Sequence, residues 1–201
     1  MAGGRSSRFG ADKRLARLDG RTLAERAAET LRAAVQPDGE VMAVGPRAAH
    51  LPALGLAWLE DAVPSGVPGG GGPLGPCAGL LAVARAGGGI VLACDMPLVP
   101  ASTLQVLPHL GGERPAAPLV NGRLMPLSAW WPEAAAPALE RCLQEGRGRA
   151  ADAFWEAGGR ALALEELGLS ADDAWLFAGV NTPWELNWLQ ARLEEQGGLW
   201  G

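Results

Sequence analysis

The chain has 201 residues, 48% of them hydrophobic, with three cysteines and a formal net charge of −5. That length fits a single domain, residues 1–201, with a real core, and no stretch approaches the ~20 apolar residues of a membrane helix. The mild acidity disfavours broad nucleic-acid binding.

Cys77, Cys94 and Cys142 lie far apart without CxxC spacing, which argues against zinc and against a disulfide framework and suits a reducing cytoplasm. The N-terminus lacks an apolar h-region, so no signal peptide is expected there.

In chain order, MAGGRSSRFGADK is a glycine-rich, basic opening. Residues 22–35 carry apolar positions at helical spacing, with Thr22 as N-cap. Residues 40–44 and 57–59 read as short buried strands. The run 64–76 (PSGVPGGGGPLGP) reads as a flexible surface loop. A helix over 77–86 precedes IVLAC (90–94), the clearest buried strand. A helix over 101–110 follows, then strands near 117–120 and 124–130 and helices over 133–145 and 150–157. A strand near 174–178 leads into a final helix, 183–195. Strands alternating with helices predict an α/β three-layer sandwich with a mostly parallel central sheet.

In such sheets ligands sit beyond the carboxyl ends of the strands, and three motifs fall there. The first is the opening segment, whose glycines let backbone N–H groups approach phosphate oxygens. It is neither a P-loop nor a dinucleotide fingerprint, because both spacings are missing. Arg5, Arg8, Lys13, Arg14, Arg17 and Arg21 stand against Asp12 and Asp19, a local positive excess in an acidic chain. The alternatives are a polyphosphate cradle and a solvated basic turn, and only the cradle also accounts for the glycines. Lys13 is the single lysine among seventeen basic residues. A compact ammonium enters a crowded phosphate site that a planar guanidinium does not.

The second motif is IVLACDMPLVP. Asp95 follows the strand directly and reads either as a Mg²⁺ ligand or as the cap of the next turn. The third is FAGVNTPWEL, where Thr182 and Pro183 suit the start of the last helix. Capping leaves Asn181 unexplained, and its uncharged oxygen would complete a metal or ligand shell beside Asp95. Trp130 and Trp131 read as core, and His50 and His109 as surface.

Together these segments resemble the nucleotidyltransferase family that contains the molybdenum cofactor guanylyltransferases. AGGRSSRFGADK is similar to that family's opening LAGGxSxRMGxDK. Asp61 in WLED, Gly75–Gly79 (GPCAG), Cys94–Pro97 (CDMP), Met125–Trp130 (MPLSAW) and Val180–Pro183 (VNTP) follow in register. The resemblance implies a Rossmann-like fold and transfer of GMP from GTP to the phosphate of molybdopterin, with pyrophosphate released. It implies nucleotide binding by Met1, Ala2, Gly3, Gly4, Lys13, Asp61, Gly79 and Asp95, catalysis by Lys13, Asp95 and Arg8, and Mg²⁺ on Asp95 and Asn181.

The first asparagine of the family's NVNTP is Gly179 here. Met1 stands where the family's first strand would end, so the expectation is a truncated first strand and a natural chain that starts several residues earlier. Two other readings stay open: a nucleotidyltransferase using CTP or a sugar phosphate, and a non-catalytic nucleotide-binding module. A molybdoenzyme or its chaperone as protein partner is not legible in these residues.

Overall fold

The computed structural model describes residues 12–37, 39–45, 54–60 and 74–197. The opening glycines and Arg8, Asp61, His50 and the expected truncated strand lie outside the described residues, as does the loop 64–76 up to residue 73.

The described chain begins with a 3₁₀ turn, Lys13–Leu15, and a two-strand ribbon, β1 (Arg17–Leu18) and β2 (Arg21–Thr22). Asp19 and Gly20 join them with φ of 50° and 77°. Such an Asp-Gly turn matches the twist of a tight hairpin. Helix α1 (Leu23–Val35) follows at once. The Thr22 side chain accepts from the Glu25 N–H, and the Glu25 carboxylate accepts from the Thr22 N–H at 2.7 Å. This reciprocal cap satisfies two otherwise orphaned donors. Arg26, buried on α1, donates to the Leu18 carbonyl at 2.8 Å and to the Asp19 carboxylate at 3.0 Å, and so ties the ribbon to the helix.

Strands β3 (Met42–Val44) and β4 (Ala57–Leu59) pair in parallel. Helix α2 (Gly75–Arg85) leads into β5 (Gly88–Leu92), and α3 (Ala101–Gly111) into β6 (Ala116–Val120), β7 (Arg123–Leu124) and β8 (Ser128–Pro132). Then come α4 (Ala136–Gln144), α5 (Ala150–Glu156), β9 (Arg160–Leu162) and α6 (Pro183–Glu195). The larger sheet runs β5-β8-β6-β7, with β9 beside β6. Gly88 has φ of +85°, and a Cβ there would lie 2.8 Å from the Trp131 carbonyl oxygen, so only glycine fits where β5 meets β8.

Neighbouring residues of the sheet serve opposite faces. Leu92 and Ala116 pack with α1, α3 and α6 in one cluster. Val91, Ala117, Ala129 and Trp131 pack with α2, α4 and α5 in the other. Helices therefore cover both faces of the sheet. Trp131 is fully buried, edge-on to Phe154 at 6.1 Å, and its indole N–H donates to the Pro126 carbonyl. Trp130 is half-buried against the other cluster, and His109 is exposed.

Three expectations change. Among the described residues the larger sheet is mixed and mostly antiparallel: β5–β8, β6–β8 and β6–β7 are antiparallel and β6–β9 is parallel, while the parallel pair β3–β4 forms a separate two-stranded sheet. The cause is local, because Asn121 and Gly122 (φ 48° and 73°) fold β6 straight back on β7 instead of sending the chain through a crossover helix.

The strand expected over 124–130 is two strands, separated where Pro126 offers no N–H and Ser128 N–H returns to the Met125 carbonyl at 3.0 Å. The strand expected near 174–178 is a 3₁₀ helix, Ala171–Phe177. Its start is fixed by the Asp173 carboxylate, which accepts from the Ser170 N–H and hydroxyl, both at 2.8 Å. No helix among the described residues is long and apolar enough to cross a membrane.

Removing the cap of α1 tests how far this fold depends on local chemistry. Thr22→Ala should lower the unfolding free energy by roughly 1 kcal/mol, read as a shift of the urea midpoint at unchanged slope.

Candidate active site

Lys13, Asp95 and Asn181 meet. The Lys13 ammonium donates to Asp95 Oδ2 at 2.6 Å and to Asn181 Oδ1 at 3.1 Å, across 82 and 168 residues of chain. The ion pair is largely enclosed, with the two side chains 14% and 25% exposed. A charged donor between a carboxylate and an amide oxygen at these distances is a strong, directional contact.

Each partner is held from behind. Asp12 accepts from the Arg14 N–H at 3.1 Å and from the Arg14 guanidinium at 2.8 and 2.7 Å, which pins the turn that presents Lys13. That side-chain hydrogen bond also raises the Arg14 pKa. Asp95 stands in the turn that follows β5. The chain there is anchored by Ala93 N–H to the Leu127 carbonyl at 2.7 Å and by Met96 N–H to the Ala93 carbonyl at 3.1 Å. Its carboxylate reaches Lys13, which favours the site reading of Asp95 over the turn-cap reading.

Asn181 precedes the N-cap of α6. The Thr182 hydroxyl accepts from the Glu185 N–H, and the Glu185 carboxylate accepts from the Asn181 N–H at 2.7 Å and from the Thr182 hydroxyl at 3.0 Å. Val180 N–H donates to the Asp95 carbonyl at 2.7 Å, so the second and third motifs are joined through backbone as well as through Lys13. Gly179 sits at this junction, and a Cβ there would meet Asn181 Nδ2 at 3.5 Å, an ordinary contact.

Asp95 and Asn181 line a cleft of about 1160 Å³ between the turn after β5, the β6–β7 ribbon, the start of α5 and α6. Pro76 of the GPCAG segment reaches this cleft. Gly79, three residues on, is buried inside α2 and does not line it. A smaller hollow of about 170 Å³ between α1, β3 and β5 has largely apolar walls and holds none of the candidate residues.

Arg123, Arg149, Trp184 and Trp188 also line the cleft, and none was singled out by the sequence motifs. The Asn121-Gly122 turn was the available signal for Arg123. The four-residue spacing in WELNW was the signal for the two tryptophans.

The thiols are not part of this chemistry. All three cysteines are buried and free. Burial raises the Cys94 thiol, and pushes Cys77 up to about 12 and Cys142 to about 11. None is a thiolate nucleophile near neutrality. Among the described residues no group of three or more His, Cys, Asp or Glu side chains could cage a metal.

A sequence model described as the MobA-like NTP transferase domain matches residues 1–184. The chain is 36% identical to the molybdenum cofactor guanylyltransferase of Acidiphilium cryptum, over 95% of this chain and 92% of that protein. It is 33% identical to that of Rhizobium meliloti, over 96% and 89%. Among solved structures, molybdopterin-guanine dinucleotide biosynthesis protein A from Archaeoglobus fulgidus has a TM-score of 0.73 over 96% of each chain at 23% identity, a likeness of fold.

The contact at the centre of the site can be measured without a substrate. In a double-mutant cycle with Lys13→Met and Asp95→Asn, urea denaturation should give a coupling of about 1–2 kcal/mol. Additive single effects would mean that the pair is not formed in solution.

Proposed function

The chain belongs to the MobA-like NTP transferase family, and we propose that it transfers GMP from GTP to the phosphate of molybdopterin, forming molybdopterin guanine dinucleotide and pyrophosphate. The observation that carries this reading is the convergence of Lys13 on Asp95 and Asn181, two residues that line one large cleft. The relatives named for this activity match over nearly the whole chain and support it. The likeness to the solved structure supports a Rossmann-like arrangement.

The donor set fits Mg²⁺. That ion prefers one or two protein oxygens, with the rest of its shell from water and substrate phosphates. Asp95 and Asn181 offer a carboxylate and an amide oxygen that already share one cation, the Lys13 ammonium. These two residues would hold Mg²⁺, which neutralises triphosphate charge when bound.

The nucleophile is the acceptor's phosphate, ionised at neutral pH, so no general base is required. One of its oxygens forms a bond to the α-phosphorus of GTP while the α–β bridge bond breaks, and the electron pair leaves on pyrophosphate. The protein's task is to align two polyanions and offset their repulsion.

Lys13 supplies a point charge to the transferring phosphate. Met1, Ala2, Gly3, Gly4 and Arg8 cradle the triphosphate, with Arg8 sharing the catalytic charge. Asp61 completes the nucleotide contacts, and Gly79, buried inside α2, would act on them only through the packing of that helix.

Two measurements test the reading. GTP with Mg²⁺ should raise the thermal midpoint more than CTP, UTP or ATP, since a ligand at about 100 times its Kd stabilises by ~2.7 kcal/mol. Lys13→Ala and Asp95→Ala should each lower kcat/KM for guanylyl transfer at least about 100-fold. Preference for CTP would move the protein to cytidylyl transfer with the same site, and absence of any nucleotide effect would overturn the proposal.

A further inference from the structure

The reaction as assigned leaves much of the cleft unused. Trp184 and Trp188 are 72% and 41% exposed and both line it. Four residues apart on α6, they project from one helix face. Leu189, fully buried, anchors that helix.

Other tryptophans of the described chain have partners, Trp58 packing against Ala24. Trp131 is buried in the core, the Trp130 indole N–H donates to the Gly112 carbonyl, Arg192 covers Trp175, and Trp155 packs edge-on to Phe154. Trp184 and Trp188 have no such ring or cation contact among the described residues. Two large rings are thus left wet on one wall of a cleft.

Two cations share the cleft with them. Arg123 is set by the tight turn between β6 and β7, and Arg149 stands just before α5. Neither guanidinium makes a hydrogen bond or ion pair among the described residues. The acids of the same cleft are committed, Asp95 to Lys13 and Glu185 to Asn181 and Thr182. The unpaired arginines therefore present net positive charge, in a form suited to phosphate.

We propose that these four residues form the acceptor subsite. A flat, fused heteroaromatic ring lies against the indoles of Trp184 and Trp188, and its phosphate is held by Arg123 and Arg149 and delivered towards Lys13. This rests on the guanylyl-transfer reading, which gives the nucleotide to the opening loop and leaves this end of the cleft to the second substrate. At about 1160 Å³ the cleft exceeds what a single ligand of ordinary size fills, roughly 300–1,000 Å³. Indole faces grip any flat ring, and the arginines require that it carry an anion.

The test is steady-state transfer on the full chain, with GTP and molybdopterin varied separately. Trp184→Ala, Trp188→Ala, Arg123→Gln and Arg149→Gln should each raise KM for molybdopterin at least about tenfold and leave KM for GTP within about twofold. Trp184→Phe and Trp188→Phe should recover most of the loss, and thermal midpoints within a few degrees of wild type would show that the variants fold.

A rise in KM for GTP with molybdopterin unaffected would overturn this subsite while leaving guanylyl transfer intact. Unchanged KM for both substrates would also overturn it. A wild-type chain that binds nucleotide but transfers nothing to molybdopterin would overturn the reading beneath it.

Discussion

One ammonium group organises this site. Lys13 bonds at once to the carboxylate after β5 and to the amide before α6, and those segments are also joined by a backbone hydrogen bond from Val180 to Asp95 and by apolar packing of Met96 with Phe177 and Val180 in one cluster. The charge lies between two oxygens at 2.6 and 3.1 Å in a largely enclosed position, where a hydrogen-bonded ion pair is far stronger than on an open surface. Everything around it serves its placement. The Asp12–Arg14 clasp sets the turn, the Arg26 contacts fix the ribbon that follows, and Gln190 on α6 accepts from the Asp19 N–H at 2.8 Å. The first and last described segments of the chain are thereby held against each other.

That arrangement explains why a lysine survives in a chain whose other sixteen basic residues are arginine. A guanidinium is a planar fork that seeks two acceptors in its own plane, and elsewhere in this protein arginines do that, as Arg147 does with Glu145 and Glu156. The two oxygens around Lys13 belong to different segments and call for a single compact charge. The same logic separates the two ends of the cleft. The end at Lys13 has its charges matched, whereas Arg123 and Arg149 stay unmatched until a ligand brings an anion.

The site was legible in the sequence because its chemistry is written in short motifs. Asp95 directly after an apolar run, and Asn181 directly before a Thr-Pro helix start, declare their positions without any knowledge of tertiary contacts. Most helices were legible for the same reason, as with Thr22 and Thr182, whose caps are local hydrogen bonds. Sheet direction was not. Whether β6 continues into a crossover or folds back depends on the Asn121-Gly122 turn, two residues that interrupt an otherwise largely apolar run.

The 3₁₀ helix at Ala171–Phe177 was hidden differently. The apolar run Ala174–Ala178 resembles a buried strand, but the Ser170–Asp173 hydrogen bonds fix a helical start that the run then continues. β9 escaped because three residues carry no period, and only pairing with Ala116–Pro118 makes them a strand.

The residues that no motif announced are those whose role depends on two elements meeting. Arg123 comes from a ribbon and Arg149 from the turn ahead of α5, and neither pattern alone speaks of a ligand. Trp184 and Trp188 read in sequence as ordinary apolar positions of an amphipathic helix. Burial distinguishes them, for a helix that fully buries Leu189 leaves its two tryptophans wet on the side of the cleft. A fold that only needed to close its core would place small or polar residues there. In an enzyme whose chemistry requires no general base, selectivity must come from binding, and large flat surfaces beside unpaired cations are the means by which binding energy can be directed at one acceptor.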